Sequence, residues 1–449
     1  MSLFAACLIL PETGEPSEVR SDLTELHALA LEHDAELEAA RHRRDAGMEV
    51  LEQGRASLLP KLSVSAGYSR NREWSDQPTQ AGGVAEQRRE IASTRYQASL
   101  TQPVFRLDAL YDYRAGRAGA RVAELEFKQR LQRFNTELLQ AYLEALRAQV
   151  RVRTLESRVE AAEAQRRQAE SRLDAGLTSR LDVSDAQAEL KRAELELVRA
   201  RSSQHAAMQK LTALSGEAIE EVVPLADRFE PRQHRYSSRN KLLDVSRSRN
   251  ARVQVLEAAT RQAEMQRKKA LAEFAPEIDF TVTANREQNE LEEAPSAGAL
   301  PGDDTESVVV GVQLSMPLFT GGRNLSTYRQ ARAEKEQAYE QRRAAIIEAR
   351  RSIKVNLRDL QSLREAISVS EVSLQTQEER LTATERAADA GLRDTVEVLR
   401  AQRALFSARQ DYEEARIDYV DALAQLRAQT GSLDQAFLET VNGWLESSS

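Results

Sequence analysis

Leu59-Pro60-Lys61-Leu62-Ser63-Val64-Ser65-Ala66-Gly67-Tyr68-Ser69 and Ala275-Pro276-Glu277-Ile278-Asp279-Phe280-Thr281-Val282-Thr283-Ala284-Asn285 follow one pattern, a proline and then alternation of apolar with polar residues. A period of two puts all apolar side chains on one face of an extended strand. Downstream of each comes a second alternating run. The first holds Tyr96, Ala98, Leu100, Gln102 and Val104, the second Val310, Val312, Leu314, Met316 and Leu318. The expected strands are 60–74, 93–104, 276–286 and 307–318. Their lengths match the ~9–11 residues that a tilted strand needs to cross a bilayer. Polar stretches at 75–90 and 287–306 read as external loops, and Trp74 as an interfacial aromatic or a plain surface residue.

Four strands make an open sheet with two bare edges. In hydrocarbon each unpaired N–H or C=O costs several kcal/mol, so the edges must be closed. The smallest common membrane barrel has ~8 strands, so chains must combine. Two chains would give a barrel filled by its own side chains, whereas three give twelve strands and a passage. The other reading, a soluble sandwich, leaves the long helices described next without a role.

The alternating runs belong to a larger internal repeat. Pro60 recurs as Pro276, Pro103 as Pro317, Gly176 as Gly391, Asp182-Val183 as Glu397-Val398, Ala186-Gln187 as Ala401-Gln402 and Gly216 as Gly431, each 214 to 216 residues on. The expected plan is a first repeat over 21–217, a linker at 218–238, a second repeat over 239–434 and a tail at 435–449. No proline lies between Pro103 and Pro224, and no glycine between Gly119 and Gly176. Helices run on where nothing removes a donor or frees the backbone. From Asp108 to Leu173 a helix would extend ~100 Å.

Within these helices the apolar residues recur in heptads. Val183, Ala186, Leu190, Ala193, Leu197 and Ala200 step by three and four, as do Val398, Ala401, Leu405, Ala408, Tyr412, Ala415 and Tyr419. Leu131, Phe134, Leu138, Ala141 and Ala145, then Ile346, Ala349, Ile353, Leu360 and Ile367, give the partner seams. A period of 3.5 specifies coiled-coil packing. Each long helix closes on a turn, 174–178 and 389–393, built around Asp-Ala-Gly-Leu. Glycine suits the left-handed residue just past a helix end.

Taken together, Leu59-Pro60-Lys61-Leu62, Gln102-Pro103-Val104-Phe105, Pro317-Leu318-Phe319-Thr320-Gly321-Gly322, the twin Ala-Gly-Leu turns, Asp182-Val183 and Glu397-Val398-Leu399 resemble the TolC family of outer-membrane channels. The resemblance covers both repeats. It implies a mainly helical chain with four barrel strands, closing as a trimer with a 12-stranded barrel and a 12-helix periplasmic tube. Pro103 and Pro317 would mark the barrel-to-helix bends, and 218–238 the belt where the repeats join. The resemblance also implies that the periplasmic tube receives cargo from an inner-membrane pump, of RND, ABC or MFS type, through a periplasmic adaptor. The docking turns would be Ala175, Gly176, Leu177 and Thr178 with Ala390, Gly391 and Leu392. The entrance would be narrowed by Asp182, Glu397 and Arg393. Arg400 stands where the family carries a second acid, which weakens a cation-favouring field. These acids can equally cap helix N-termini.

Composition agrees with export and excludes other classes. The chain has 449 residues, 30% charged and 5% aromatic, with net charge -8. Interspersed charges and mild acidity give no basic footprint for nucleic acid. Cys7 is the single cysteine, so no internal disulfide forms. Residues 1–20 read as a truncated signal and tail. Leu3-Phe4-Ala5-Ala6-Cys7 is similar to a lipoprotein acylation site, or is a leftover apolar stretch. His27, His33, His42, His205 and His234 show no metal-ligand spacing, and neither a phosphate loop nor a nucleophile elbow is present. The expectation is no enzyme, no cofactor and no resident metal. A coiled-coil scaffold or periplasmic adaptor is the competing reading. It accounts for the heptads but not for two alternating strand pairs.

Overall fold

The computed structural model describes residues 20–78, 84–227, 229, 231, 245, 248–293, 304–390, 392–393 and 395–446. Cys7 and the rest of 1–19 lie outside them, as do Gly391 and much of the linker 218–238. The chain divides into two compact units. One comprises Met1–Arg41, Phe127–Gln254 and Ala345–Ser449, the other His42–Glu126 and Val255–Ala344. Each unit takes segments from both repeats.

The elements in chain order are β1 (Arg20–Ser21), α1 (Leu23–His33), α2 (Ala35–Ala56), β2 (Lys61–Pro78), β3 (Val84–Phe105), α3 (Leu107–Asp174), α4 (Arg180–Ser215), β4 (Glu221–Val222), α5 (Ala251–Ala272), β5 (Glu277–Glu293), β6 (Asp304–Ser315), α6 (Arg323–Asp389), α7 (Thr395–Gln429) and α8 (Gln435–Asn442). The uninterrupted stretches thus form helices of 68 and 67 residues.

In the first unit the heptad seams are the core. Phe134, Leu138, Ala141, Ala145, Ala186, Ala193, Ile353, Ala401 and Leu426 are all essentially buried. Fully burying a Phe or Leu contributes ~1.5–3 kcal/mol each, so these seams set the helix register. Within the stretch 435–449, Gln435–Asn442 form α8. Phe437, Leu438 and Val441 give α8 one apolar face, and all three are buried. Its first turn is capped by Asp434, which accepts from the Phe437 N–H at 3.1 Å.

The second unit holds a four-stranded antiparallel sheet in the order β2-β3-β5-β6. Three strands run further than their alternating pattern: 60–74 becomes Lys61–Pro78, 93–104 becomes Val84–Phe105 and 276–286 becomes Glu277–Glu293. Within the expected loops, 75–78, 84–90, 287–293 and 304–306 therefore lie in strands. Backbone pairing needs no apolar side chain, and cross-strand ion pairs such as Arg72–Glu90 at 2.9 Å and Arg286–Asp304 at 3.0 Å suit its polar end. The fourth strand is Asp304–Ser315 rather than 307–318. Pro317 lacks the N–H to continue a ladder.

Gly431 follows α7 at φ 66°, with its N–H donating to the Ala428 carbonyl at 3.1 Å. A Cβ there would stand 2.1 Å from the Arg249 carbonyl oxygen, whereas one on Gly176, at φ 73°, meets nothing within 4 Å. Left-handed backbone costs a residue with a Cβ ~1–2 kcal/mol. Gly176→Ala should lower stability by about that amount, and Gly431→Ala by clearly more, because a backbone carbonyl must also move. Thermal unfolding in detergent checks this; equal midpoints for the two variants would contradict it.

Candidate functional site

The two helix-end turns share one hydrogen-bond plan. After α3, Leu177 N–H donates to the Arg172 carbonyl at 2.8 Å and Gly176 N–H to Leu173 at 2.9 Å. These are the paired closures of a Schellman motif. After α6, Leu392 N–H donates to the Ala387 carbonyl at 2.8 Å, the same six-residue closure. Its partner Gly391 lies outside the described residues. Leu177 and Leu392 are each 78% exposed, two apolar side chains held in solvent by equivalent turns. Ala175 and Ala390 are also exposed, and Thr178 is half-buried.

Thr178 is turned into the next helix. Its Oγ1 donates to Asp182 Oδ2 at 2.6 Å, and Ser179 N–H and Oγ donate to the same oxygen at 2.9 and 2.7 Å. Ser179 Oγ accepts from the Asp182 N–H at 3.3 Å, which completes a capping box. The Ser179-Arg180-Leu181-Asp182 spacing is the signal for this box, and it is readable from sequence. The Thr178 hydroxyl, then the Ser179 hydroxyl and N–H, hold the Asp182 carboxyl below the usual carboxylate range. The capping role thus has full geometry.

The acid of the second repeat is held differently. Arg393 NH1 donates to Glu397 Oε1 at 2.6 Å, within the first turn of α7. Arg400, exposed, follows Glu397 by three residues and so lies on the neighbouring part of the same helix face.

One cluster near these helix starts went unread in the sequence. Glu189 of α4 is 3% exposed and is met by Arg158 of α3 at 2.8 Å, Arg192 at 3.4 Å and Arg403 of α7. Arg158 also reaches Glu196 at 2.6 Å. A carboxylate so far from water needs such partners. It therefore joins α4 to α7, and with them the two repeats. The only sequence signal is a Glu directly beside the seam residue Leu190.

The sheet of the second unit presents two unlike faces. One carries the rows Leu62–Leu100–Val282–Val310 and Val64–Ala98–Ala284–Val308. Leu62, Val64, Val308 and Val310 are exposed in the single chain. Two rows further the same face turns polar, at Ala66–Tyr96–Arg286–Glu306 and Tyr68–Thr94–Gln288–Asp304. Tyr68 and Tyr96 therefore mark that edge, and Trp74 lies beyond it. The opposite face carries Ser63–Ser99–Thr283–Val309 and Ser65–Gln97–Asn285–Ser307. At the base, Pro103 pairs with Asp279 and the register shifts before Phe105, two residues ahead of α3. Pro317 stands just past β6, and the chain reaches α6 through Gly321 and Gly322, both at positive φ.

Among the described residues no helix is long and apolar enough to cross a membrane. Independently, the sheet carries exposed apolar rows on one face. Long coiled-coil hairpins joined to such strands define an outer-membrane duct subunit. The profile of the family described as "Outer membrane efflux protein" matches residues 26–217 and 242–432, and the chain belongs to this family of TolC-type channels. The alkaline protease secretion protein AprF of Pseudomonas aeruginosa is 30% identical over 417 residues, 92% of this chain and 85% of that protein. Outer membrane protein TolC of Vibrio cholerae is 25% identical over 425 residues, 95% of this chain and 94% of that protein. The Campylobacter jejuni CmeC outer membrane channel has the same fold, with TM-score 0.76 at 17% identity over 99% of both chains. The protein is an export channel of the outer membrane that extends into the periplasm.

Because the folded carboxyl of Asp182 titrates below its ordinary value of ~3.9, its stabilising effect is complete above that value and is lost as pH falls through the folded one. Amide protection over the first turn of α4, corrected for intrinsic exchange, should fall as the solution is acidified below about pH 4. In Asp182→Asn this pH dependence should disappear. The same acid-dependent loss in both proteins would show that the cap does not depend on this carboxylate.

Proposed function

We propose that three chains close one duct, a twelve-stranded barrel above a helical tube, and pass secreted polypeptide delivered by an inner-membrane pump through a periplasmic adaptor. The observation that carries this reading is the sheet with an apolar outer face and unpaired edges at β2 and β6. Lipid admits no such edge, and joining β6 of each chain to β2 of the next removes them all. Polypeptide is the favoured cargo because AprF, and likewise the proteases secretion protein PrtF of Dickeya chrysanthemi, are named for protease secretion and match over more than nine-tenths of this chain.

Apolar stripes left exposed on the helices support association with further copies. On α4, Leu181, Ala188 and Leu195 lie seven residues apart with Val198 beside them; on α6, Val355 and Val369 lie two heptads apart with Val372 beside them. All are exposed, on faces away from the filled seams. Stripes of this period fit helices of a neighbour. The exposed leucines of the twin turns fit the adaptor, and three copies of Asp182 and Glu397 narrow the entrance.

The reading predicts trimers that survive warming in detergent, and ion conductance in planar lipid. Soluble monomer as the sole species would defeat it. Leu195→Glu together with Val369→Glu should abolish the trimer band while leaving the monomer's helix content intact. Replacing both Asp182 and Glu397 with Ala should change conductance or ion preference, and unchanged values would remove them from the entrance.

A further inference from the structure

Between the Lys61 and Ser69 rows the polar face of the sheet carries little charge. From the base outward its rows are Lys61–Thr101–Thr281–Gly311, Ser63–Ser99–Thr283–Val309, Ser65–Gln97–Asn285–Ser307, Gly67–Arg95–Glu287–Thr305 and Ser69–Ser93–Asn289. Beyond the Lys61 row, Arg95 and Glu287 are the only charged residues on this face among these described positions. They are direct cross-strand neighbours, and Arg95 NH2 and Nε donate to Glu287 Oε2 at 3.0 and 3.3 Å. Gly67, next in the row, has open space where a Cβ would be. The Arg95 side chain is 60% exposed, so this pair adds little to stability.

The level of the pair is also defined. Arg95 lies six residues beyond Thr101, ~20 Å along the strand. The outer face changes at that height from Val64–Ala98–Ala284–Val308 to Ala66–Tyr96–Arg286–Glu306. The pair thus sits level with the rim of the apolar band, where the bore opens outward.

We propose that Arg95 and Glu287 form a charge-balanced collar near the outer end of the bore, which keeps that end from selecting ions or cargo segments by sign. The proposal rests on the trimeric barrel reading, which makes this face the lumen. Three copies place three positive and three negative charges at one level, with no net field along the axis. Unpaired charge rings in a pore select by sign. Their cancellation lets acidic and basic stretches of one polypeptide pass alike.

The test is the reversal potential in planar bilayers under a KCl gradient. Glu287→Gln leaves three net positive charges and should shift the K⁺/Cl⁻ permeability ratio several-fold toward Cl⁻. Arg95→Gln should shift it several-fold toward K⁺. The double variant R95Q/E287Q, and Arg95→Lys, should both return the wild-type ratio. A ratio unmoved by either single change, or one that the double variant fails to restore, overturns the collar while the channel stands. Absence of any wild-type conductance overturns both, since there is then no bore to line.

Discussion

Unpaired backbone governs this molecule. Among the described residues, the strand order β2-β3-β5-β6 leaves one side of an 18-residue strand and one side of a 12-residue strand without partners. In water such edges are a hazard of misassociation, and in hydrocarbon they are untenable. The exposed row Leu62, Val64, Val308 and Val310 shows which of these solvents the sheet is built for. The proposed closure among copies of the chain answers to these edges. The apolar stripes on α4 and α6 repeat that demand in the helices.

The linker between repeats is fixed by a different device, buried polar groups that meet backbone. Gln149 accepts from the Val222 N–H at 3.0 Å and donates to the Val222 carbonyl at 2.9 Å, so a side chain on α3 completes the short strand β4. Tyr142 donates to the Val223 carbonyl at 2.8 Å, and burial pushes its phenol well above the usual range. Arg416, 1% exposed, reaches the Ala226 carbonyl and Glu413, with its guanidinium over the rings of Phe229 and Tyr412. A buried guanidinium is tolerable only with such partners. The described part of the linker is thereby tied to α3 and α7, and through Ala226 N–H to the Trp444 carbonyl, at 2.9 Å, to the C-terminal segment.

Periodicity made most of the fold legible. The heptads named much of the buried seams, such as Phe134, Leu138, Ala186, Ala193, Ile353 and Ala401, because a helix buries one stripe; Val183, Leu405 and Tyr412 are only half-buried. Strand alternation located the sheet but not its ends. The apolar rows end near Tyr68 and Tyr96, whereas hydrogen bonding continues through Arg70, Arg72 and Glu90. The helix α8 within 435–449 was not read in advance because eight residues are too few to show a period. At the turns the sequence offered two roles for Asp182, and the Ser179 spacing identifies the capping one. Glu189 and Arg403 could not be paired in advance. They lie far apart in the chain, and charges are so common here that no single Glu stands out.

Duplication carries one more consequence. Within the chain, β3 of the first repeat joins β5 of the second, with Leu100 opposite Val282. A β6–β2 junction between chains is the same kind of seam with the repeats exchanged. Leu314 is the counterpart of Leu100, and Ala66 of Val282. In the proposed ring six hairpins would stand in pseudo-sixfold array, with Leu314 facing Ala66 of the adjoining copy. The internal seam is a template for the one that only assembly can form.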